Sequence, residues 1–213
     1  MKADIALFNE LERHLMQDER PSEYLNNLAC KPEFTGYPFT MLQKQIATKQ
    51  SPKHHPEGSV WNHTLLVVDE AAKVKRLSSN PRVFMWAALL HDIGKPSTTK
   101  VRDGKITSYD HDLIGMNLAR NFLSAFSLDK VMVDAVCGLV RYHMQILFVV
   151  NGMRFADIKG MLEHTDVNEV ALLGLCDRLG RLNYNRELEE ENIRQFLIKS
   201  GVGLNDERWG FLR

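Results

Sequence analysis

Apolar residues recur at spacings of three and four along nearly the whole chain, and no apolar–polar alternation runs long enough to build a buried strand. That pattern confines the fold to packed helices and predicts an all-α domain. One helix is expected over residues 4–16, followed by a second short helix. A polar, proline-punctuated stretch from Gln50 to Gly58 separates them from the main body, where helices are expected near 60–77, 82–93, 111–126, 129–147, 154–163 and 167–181. Within Thr98–Tyr109, Asp103-Gly104 marks a turn and a candidate small hairpin. The stretch Arg186–Arg213 opens with Glu187, Glu189, Glu190 and Glu191 and predicts a solvated helix with a loose tail. Trp209, Phe211 and Leu212 in that tail form either a contact patch or a docked end. No internal repeat or low-complexity segment is visible.

With 213 residues, 44% of them hydrophobic, the chain can bury a full core as one domain with small appendages. The expected division is an N-terminal extension at 1–50, a main domain at 51–182, and a helix and tail at 183–213 packing on it. Lys plus Arg and Asp plus Glu stand at 27 each, which excludes a basic field for nonspecific binding of long nucleic acid but leaves room for a small anionic substrate. Met1-Lys2-Ala3-Asp4-Ile5 lacks the apolar run of a signal peptide, and no apolar stretch approaches the ~20 residues that cross a bilayer. A cytoplasmic protein without membrane contact is therefore expected. Cys30, Cys137 and Cys176 lie far apart with no Cys-x-x-Cys spacing, so they are expected to pack as small hydrophobes.

The dipeptide His91-Asp92 stands in Ala87-Ala88-Leu89-Leu90-His91-Asp92-Ile93-Gly94-Lys95-Pro96, where a helix should be apolar. Adjacent side chains on a helix point about 100° apart, so this pair can reach one ion, or one ion each, at a seam between helices. A nitrogen and oxygen pair suits a hard or borderline metal. His63 shares a face with Val67, Ala71 and Val74; His143 lines up with Met132, Val136, Leu139 and Val140; Asp177 lines up with Val170, Leu173 and Gly174. His111 opens a helix with Asp110 and Asp112 beside it as candidate caps. Taken singly, a histidine on an apolar face is more often bonded to a backbone carbonyl than to a metal. A buried aspartate needs an arginine, several donors or a metal, and Arg178 and Arg181 offer Asp177 a salt bridge. Three histidines and two aspartates all turned inward are explained together by convergence on one pair of ions.

The order His63, His91-Asp92, Asp177 resembles the His…His-Asp…Asp signature of the HD-domain metal-dependent phosphohydrolases, and His91-Asp92-Ile93-Gly94-Lys95 is similar to their central motif residue for residue. More narrowly, the stretch from His55-Pro56-Glu57-Gly58 to His63-Thr64, together with His111-Asp112-Leu113-Ile114-Gly115 and Tyr142-His143, resembles the HD domain that forms the C-terminal part of bacterial CCA-adding tRNA nucleotidyltransferases. The resemblance covers about residues 50–182. Nothing resembles the nucleotidyltransferase head with its glycine-rich turn and paired aspartates, so the chain is not expected to add CCA by itself.

The resemblance implies an HD-domain helical bundle with a short N-terminal helical extension. It implies that His63, His91, Asp92 and Asp177 bind one metal, and that His111 and His143 fit the extra pair of members with two metals, Asp92 bridging both. One or two divalent ions are expected (Mn²⁺, Fe²⁺, Co²⁺, Ni²⁺ or Mg²⁺), with Mg²⁺ and Ca²⁺ disfavoured by a histidine-rich site. Lys95 either neutralises a phosphate oxygen or is a solvated lysine where Gly-Lys-Pro stops a helix. Arg141 and Arg178 are candidates for the same work, or pair with neighbouring carboxylates. His55 and Glu57 order the mouth of the site, contact substrate, or tie their loop to the first core helix. His14, His54 and His164 read as surface residues. The expected activity is hydrolysis of a phosphomonoester or small phosphodiester, such as a nucleotide or a 2′,3′-cyclic nucleotide, with Asp92 and Lys95 at its centre. Two rivals stand beside it: a noncatalytic accessory domain binding tRNA or a nucleotidyltransferase partner, and a di-iron oxygenase with the same ligand order.

Overall fold

The computed structural model of the chain describes residues 4–204 and 206–212. It is an all-α assembly with one small hairpin. Helices α1 (Ile5–Gln17), α2 (Pro21–Ala29) and α3 (Thr40–Ala47) precede the main body of α4 (Val60–Val74), α5 (Pro81–Leu90), the single-turn α6 (Lys95–Thr98), α7 (His111–Ser124), α8 (Lys130–Tyr142), α9 (Gln145–Val150), α10 (Ile158–His164), α11 (Val167–Leu179) and α12 (Arg186–Lys199). Strands β1 (Lys100–Arg102) and β2 (Lys105–Thr107) pair antiparallel across Asp103 and Gly104, both at positive φ, which is the backbone a two-residue Asp-Gly turn adopts.

Two helices form the middle of the core. Every residue of α5 from Val83 to Leu90 is buried, and α11 is buried from Glu169 to Leu179. Because α5 touches α1, α4, α8 and α11, it has no solvated face and reads as a continuous apolar run. Its start is fixed by Asn80, whose side chain accepts from the Val83 amide, with Pro81 at the first helical position. Ser59 caps α4 in the same way through the Asn62 amide. Phe8 of α1 stacks on Trp86 at 4.7 Å, and Phe39 meets Phe122 edge-on at 5.7 Å, so the N-terminal helices share an aromatic cluster with α5 and α7.

Several sequence expectations need correction. The helix expected over 129–147 is two helices, α8 and α9, separated by a turn at His143 and Met144. Lys130–Val150 is nonetheless 21 residues with hydropathy 1.4, long and apolar enough by composition to cross a membrane, contrary to the expectation that no stretch approaches that length. Of its most apolar window 61% is buried in the fold, where that face packs in the core. The helix expected over 82–93 ends at Leu90, leaving His91 and Asp92 in a turn. Of the expectations for the C-terminal stretch, the docked end holds for Trp209 and the loose tail does not: α12 keeps an exposed face but buries Ile193, Phe196 and Leu197, and Trp209 is fully buried, its Nε1 donating to Asn168 Oδ1 at 2.9 Å. The side chains of Phe211 and Leu212 lie outside the described residues. Cys137 and Cys176 are buried as expected, whereas Cys30 is exposed. His14 is not a plain surface residue, since it stacks on Tyr24 at 3.7 Å and bonds Asp18 at 2.7 Å.

Candidate metal centre

The apolar α5 delivers the chain to the turn His91–Gly94, and that turn presses directly on the start of α7. A Cβ on Gly94 would lie 2.1 Å from the His111 carbonyl oxygen and 2.7 Å from the Gly115 amide nitrogen, so only glycine permits the approach that sets His111 beside Asp92. Gly94 has φ −78 and is not a left-handed helix stop; Lys95 instead begins α6. Gly180 plays the matching part at the end of α11, where a Cβ would lie 2.9 Å from the Val67 amide nitrogen of α4. That contact brings Asp177 to His63.

Three imidazoles are oriented identically. Nδ1 of His91 meets the Ala88 carbonyl at 2.8 Å, Nδ1 of His111 meets that of Ser108 at 2.7 Å, and Nδ1 of His143 meets that of Val140 at 2.7 Å. A carbonyl only accepts, so each Nδ1 donates to it, and burial, by keeping His111 and His143 neutral, leaves a lone pair on the Nε2 of those two rings. All three are buried, and His91 Nε2 has no hydrogen-bond partner. His111 Nε2 and His143 Nε2 face each other at 3.2 Å, lone pair against lone pair. Burial, with the His111 and His91 rings beside it, pushes His143 down to about 4, and burial also lowers His111. Neutral imidazoles turned on one another without a shared proton are a donor set for a cation, and the chemistry of these residues fits a divalent metal.

Asp92 stands between two groups. Its Oδ2 lies 3.3 Å from His91 Nε2 and 4.0 Å from His63 Nε2, while its Oδ1 lies 3.5 Å from His111 Nε2 and 3.8 Å from His143 Nε2. His63, His91 and Asp92 form one cluster able to hold a metal, and Asp92, His111 and His143 form another. His63 Nε2 also lies 2.9 Å from Asp177 Oδ1, and its Nδ1 is 3.0 Å from Glu57 Oε1. Glu57 in turn meets His55 Nδ1 at 2.8 Å. Burial acts to raise both buried aspartates, but Lys95 beside Asp92, and Arg181 and His63 beside Asp177, outweigh it and hold both well below the carboxylate range. Burial alone would lower His63; Asp177 and Glu57 outweigh it and raise the imidazole.

Among the cations, the solvated alternative falls for Lys95, while Arg141 and Arg178 take the expected pairing with carboxylates. Lys95 is no solvated lysine: it is buried, with Nζ 2.7 Å from Asp92 Oδ2 and donating to Gln50 Oε1 at 2.5 Å. Arg141 pairs with Asp112, and Arg178 with Glu189 at 2.5 Å. Asp112 is therefore not a helix cap, and Asp110, at the cap position, makes no side-chain cap bond. The sequence singled out neither Gln50 nor Arg181 as site residues, and both line the site; Arg181 reaches Asp177 at 3.5 Å. These groups floor a cavity of about 730 Å³, whose outer wall includes Tyr109, Leu113, Met144, Leu147, Phe148 and Phe155. Of the N-terminal 50 residues only Gln50 lines it, and His54 stands at its rim. His164 is exposed and away from it.

The profile of the HD domain family matches residues 60–182. The chain is 31% identical over 105 residues to the Multifunctional CCA protein of Actinobacillus pleuropneumoniae serotype 5b, covering 49% of this chain and 25% of that protein. The Multifunctional CCA protein of Methylococcus capsulatus is 30% identical over 161 residues, covering 75% and 32%. That of Verminephrobacter eiseniae is 29% identical over 191 residues, covering 84% and 43%. The chain thus spans less than half the length of these curated relatives.

Proposed function

The chain belongs to the HD domain family, and from that premise we propose that it is a metal-dependent phosphohydrolase acting on a phosphomonoester or a small phosphodiester, a nucleotide or 2′,3′-cyclic nucleotide in particular. The observation that carries this reading is the placement of the two oxygens of Asp92, each turned toward a different set of imidazole nitrogens. His63, His91, Asp92 and Asp177 would hold one ion, and Asp92, His111 and His143 a second. Divalent ions held there (Mn²⁺, Fe²⁺, Co²⁺, Ni²⁺ or Mg²⁺) supply Lewis acidity, polarising a phosphoryl oxygen and acidifying water.

The chain's own residues do the rest. Asp92 is kept ionised by its surroundings, so it stays available as a bridging anion. Lys95, anchored on Gln50 and Asp92, fixes a positive charge at the cavity floor, where charge builds up on phosphoryl oxygens during transfer. Arg141 and Arg178 line the same cavity, each held in place by a carboxylate, Asp112 and Glu189 respectively. The wall of Tyr109, Phe148 and Phe155 gives a nucleoside an apolar surface to stack on. The substrate is small, and the site is read as cytoplasmic.

A second reading has one specific support, that the relatives above are named Multifunctional CCA protein: the domain would then serve tRNA or a nucleotidyltransferase partner. The deciding experiment measures phosphate or alcohol release from nucleotides, cyclic nucleotides and a chromogenic diester, using metal-reconstituted protein beside Asp92→Ala. Turnover lost with Asp92 and with a chelator supports the hydrolase. A folded, metal-loaded protein inert toward the whole panel would end that reading in favour of the second.

A further inference from the structure

We infer that Arg181 is the residue that grips the phosphoryl group of the substrate. The inference rests on the hydrolase reading and assigns a role to a residue the signature motifs leave out. Among the described residues, four cationic side chains line the cavity: Lys95, Arg141, Arg178 and Arg181. Three are committed. Lys95 is divided between Asp92 and Gln50, Arg141 is paired with Asp112, and Arg178 is locked on Glu189 at 2.5 Å. Arg181 makes only a long contact, Nη2 to Asp177 Oδ1 at 3.5 Å, and its Nε is buried with no hydrogen-bond partner. A buried donor left unmade carries a desolvation cost that an arriving acceptor removes.

The backbone explains the placement. Arg181 follows Gly180, the residue that lets the end of α11 close on α4, and it stands one turn beyond Asp177. Its guanidinium is thereby held beside a candidate metal ligand and at the edge of the cavity. A planar fork with free N–H groups suits two oxygens of one tetrahedral oxyanion, a geometry an ammonium does not offer. Asp177, at the limit of hydrogen-bond distance, pairs with one Nη and orients the fork, leaving Nε without a partner.

The test is calorimetric titration of inorganic phosphate into the full, metal-reconstituted chain, with metal content measured in parallel. Arg181→Gln is expected to weaken phosphate binding about 10- to 100-fold at unchanged metal content, and to raise the nucleotide KM more than it lowers kcat. Arg181→Lys keeps the charge without the fork and is expected to fall between. Wild-type phosphate affinity in Arg181→Gln, or a larger loss in Arg178→Gln, overturns the inference. Should Arg181→Gln fail to fold, Arg181→Lys decides, and full phosphate affinity there counts against the fork. Wild type that binds phosphate through Arg181 yet hydrolyses nothing would sink the hydrolase reading and leave the anchor standing. Wild-type turnover with KM unchanged in Arg181→Gln would sink the anchor alone.

Discussion

Glu57 shows how much of the site depends on residues that never reach the cavity floor. It is held well below the carboxylate range because, although burial raises it, contacts to His55 and His63 lower it further. By standing 3.0 Å from Nδ1 of His63 it fixes that ring with Nε2 toward Asp177. Glu57→Gln is expected to reduce metal affinity by about 10- to 100-fold, read by titration against a chelating dye; unchanged affinity would leave Glu57 only a loop tie. Gly94→Ala tests the backbone contact. Its methyl has no space against the His111 carbonyl, so the variant should lose bound metal and about 1–3 kcal/mol of stability, measured by metal analysis and denaturant unfolding. The histidines and aspartates of the centre were legible in the sequence because polar ligand types on apolar helix faces need a common explanation. Gln50 and the burial of Lys95 were not, and Arg181 was legible only as a salt-bridge partner of Asp177. An arginine or lysine at a helix end and a glutamine in a polar loop look solvated until the third dimension closes over them.

Helix boundaries follow from the same histidines. The periodicity of 129–147 is helical throughout, yet α8 stops at Tyr142 because His143 Nδ1 takes the Val140 carbonyl within the turn where the regular ladder would continue. His91 treats Ala88 the same way at the end of α5. Apolar spacing reports which face is buried and is blind to a side chain competing for a carbonyl, so the elements were legible and these ends were not. Periodicity leaves the docking of the tail open for a related reason. Glu187 to Glu191 suggest solvent, but the docking residue, Trp209, lies ten residues beyond the end of α12. Near it, Arg208 Nη1 donates at 3.0 Å to Glu169, a buried carboxylate that Ser78 and Ser79 also satisfy. Trp209→Ala is expected to cost about 3–5 kcal/mol and to lower Tm by roughly 6–20 °C in a thermal melt, with the metal centre intact. A change of under a degree would mean the tail is held by something other than this indole.

At the scale of the molecule, the candidate ligands come from five segments, α4, the turn after α5, α7, the turn after α8, and α11, which together enclose most of the core. Acid should therefore act globally on the metal-free protein. His55 and His143 fall to about 4 in the fold through burial, against about 6.5 in the unfolded chain, which then binds more protons between those values. Stability conferred by keeping them neutral is present above about pH 6.5 and is lost as pH falls toward 4; His111, also lowered by burial, acts in the same sense, so His63, raised, is one group against three. Denaturant unfolding of chelator-treated protein from pH 7.5 to 4.5 should show that decline. Metal works in the other direction, because each ion bound only by the folded chain would tie three of these segments together, with Asp92 common to both sets. At free metal 100-fold over Kd the gain is about 2.7 kcal/mol, or roughly 5–10 °C in Tm for a chain of this length. Wild-type Tm should rise with Mn²⁺ or Co²⁺ and fall back with chelator, and Asp92→Ala, which removes the carboxylate shared by both clusters, should show neither response. If wild type and Asp92→Ala melt alike with and without metal, the buried imidazoles are satisfied within the protein, and the case for a metal centre fails.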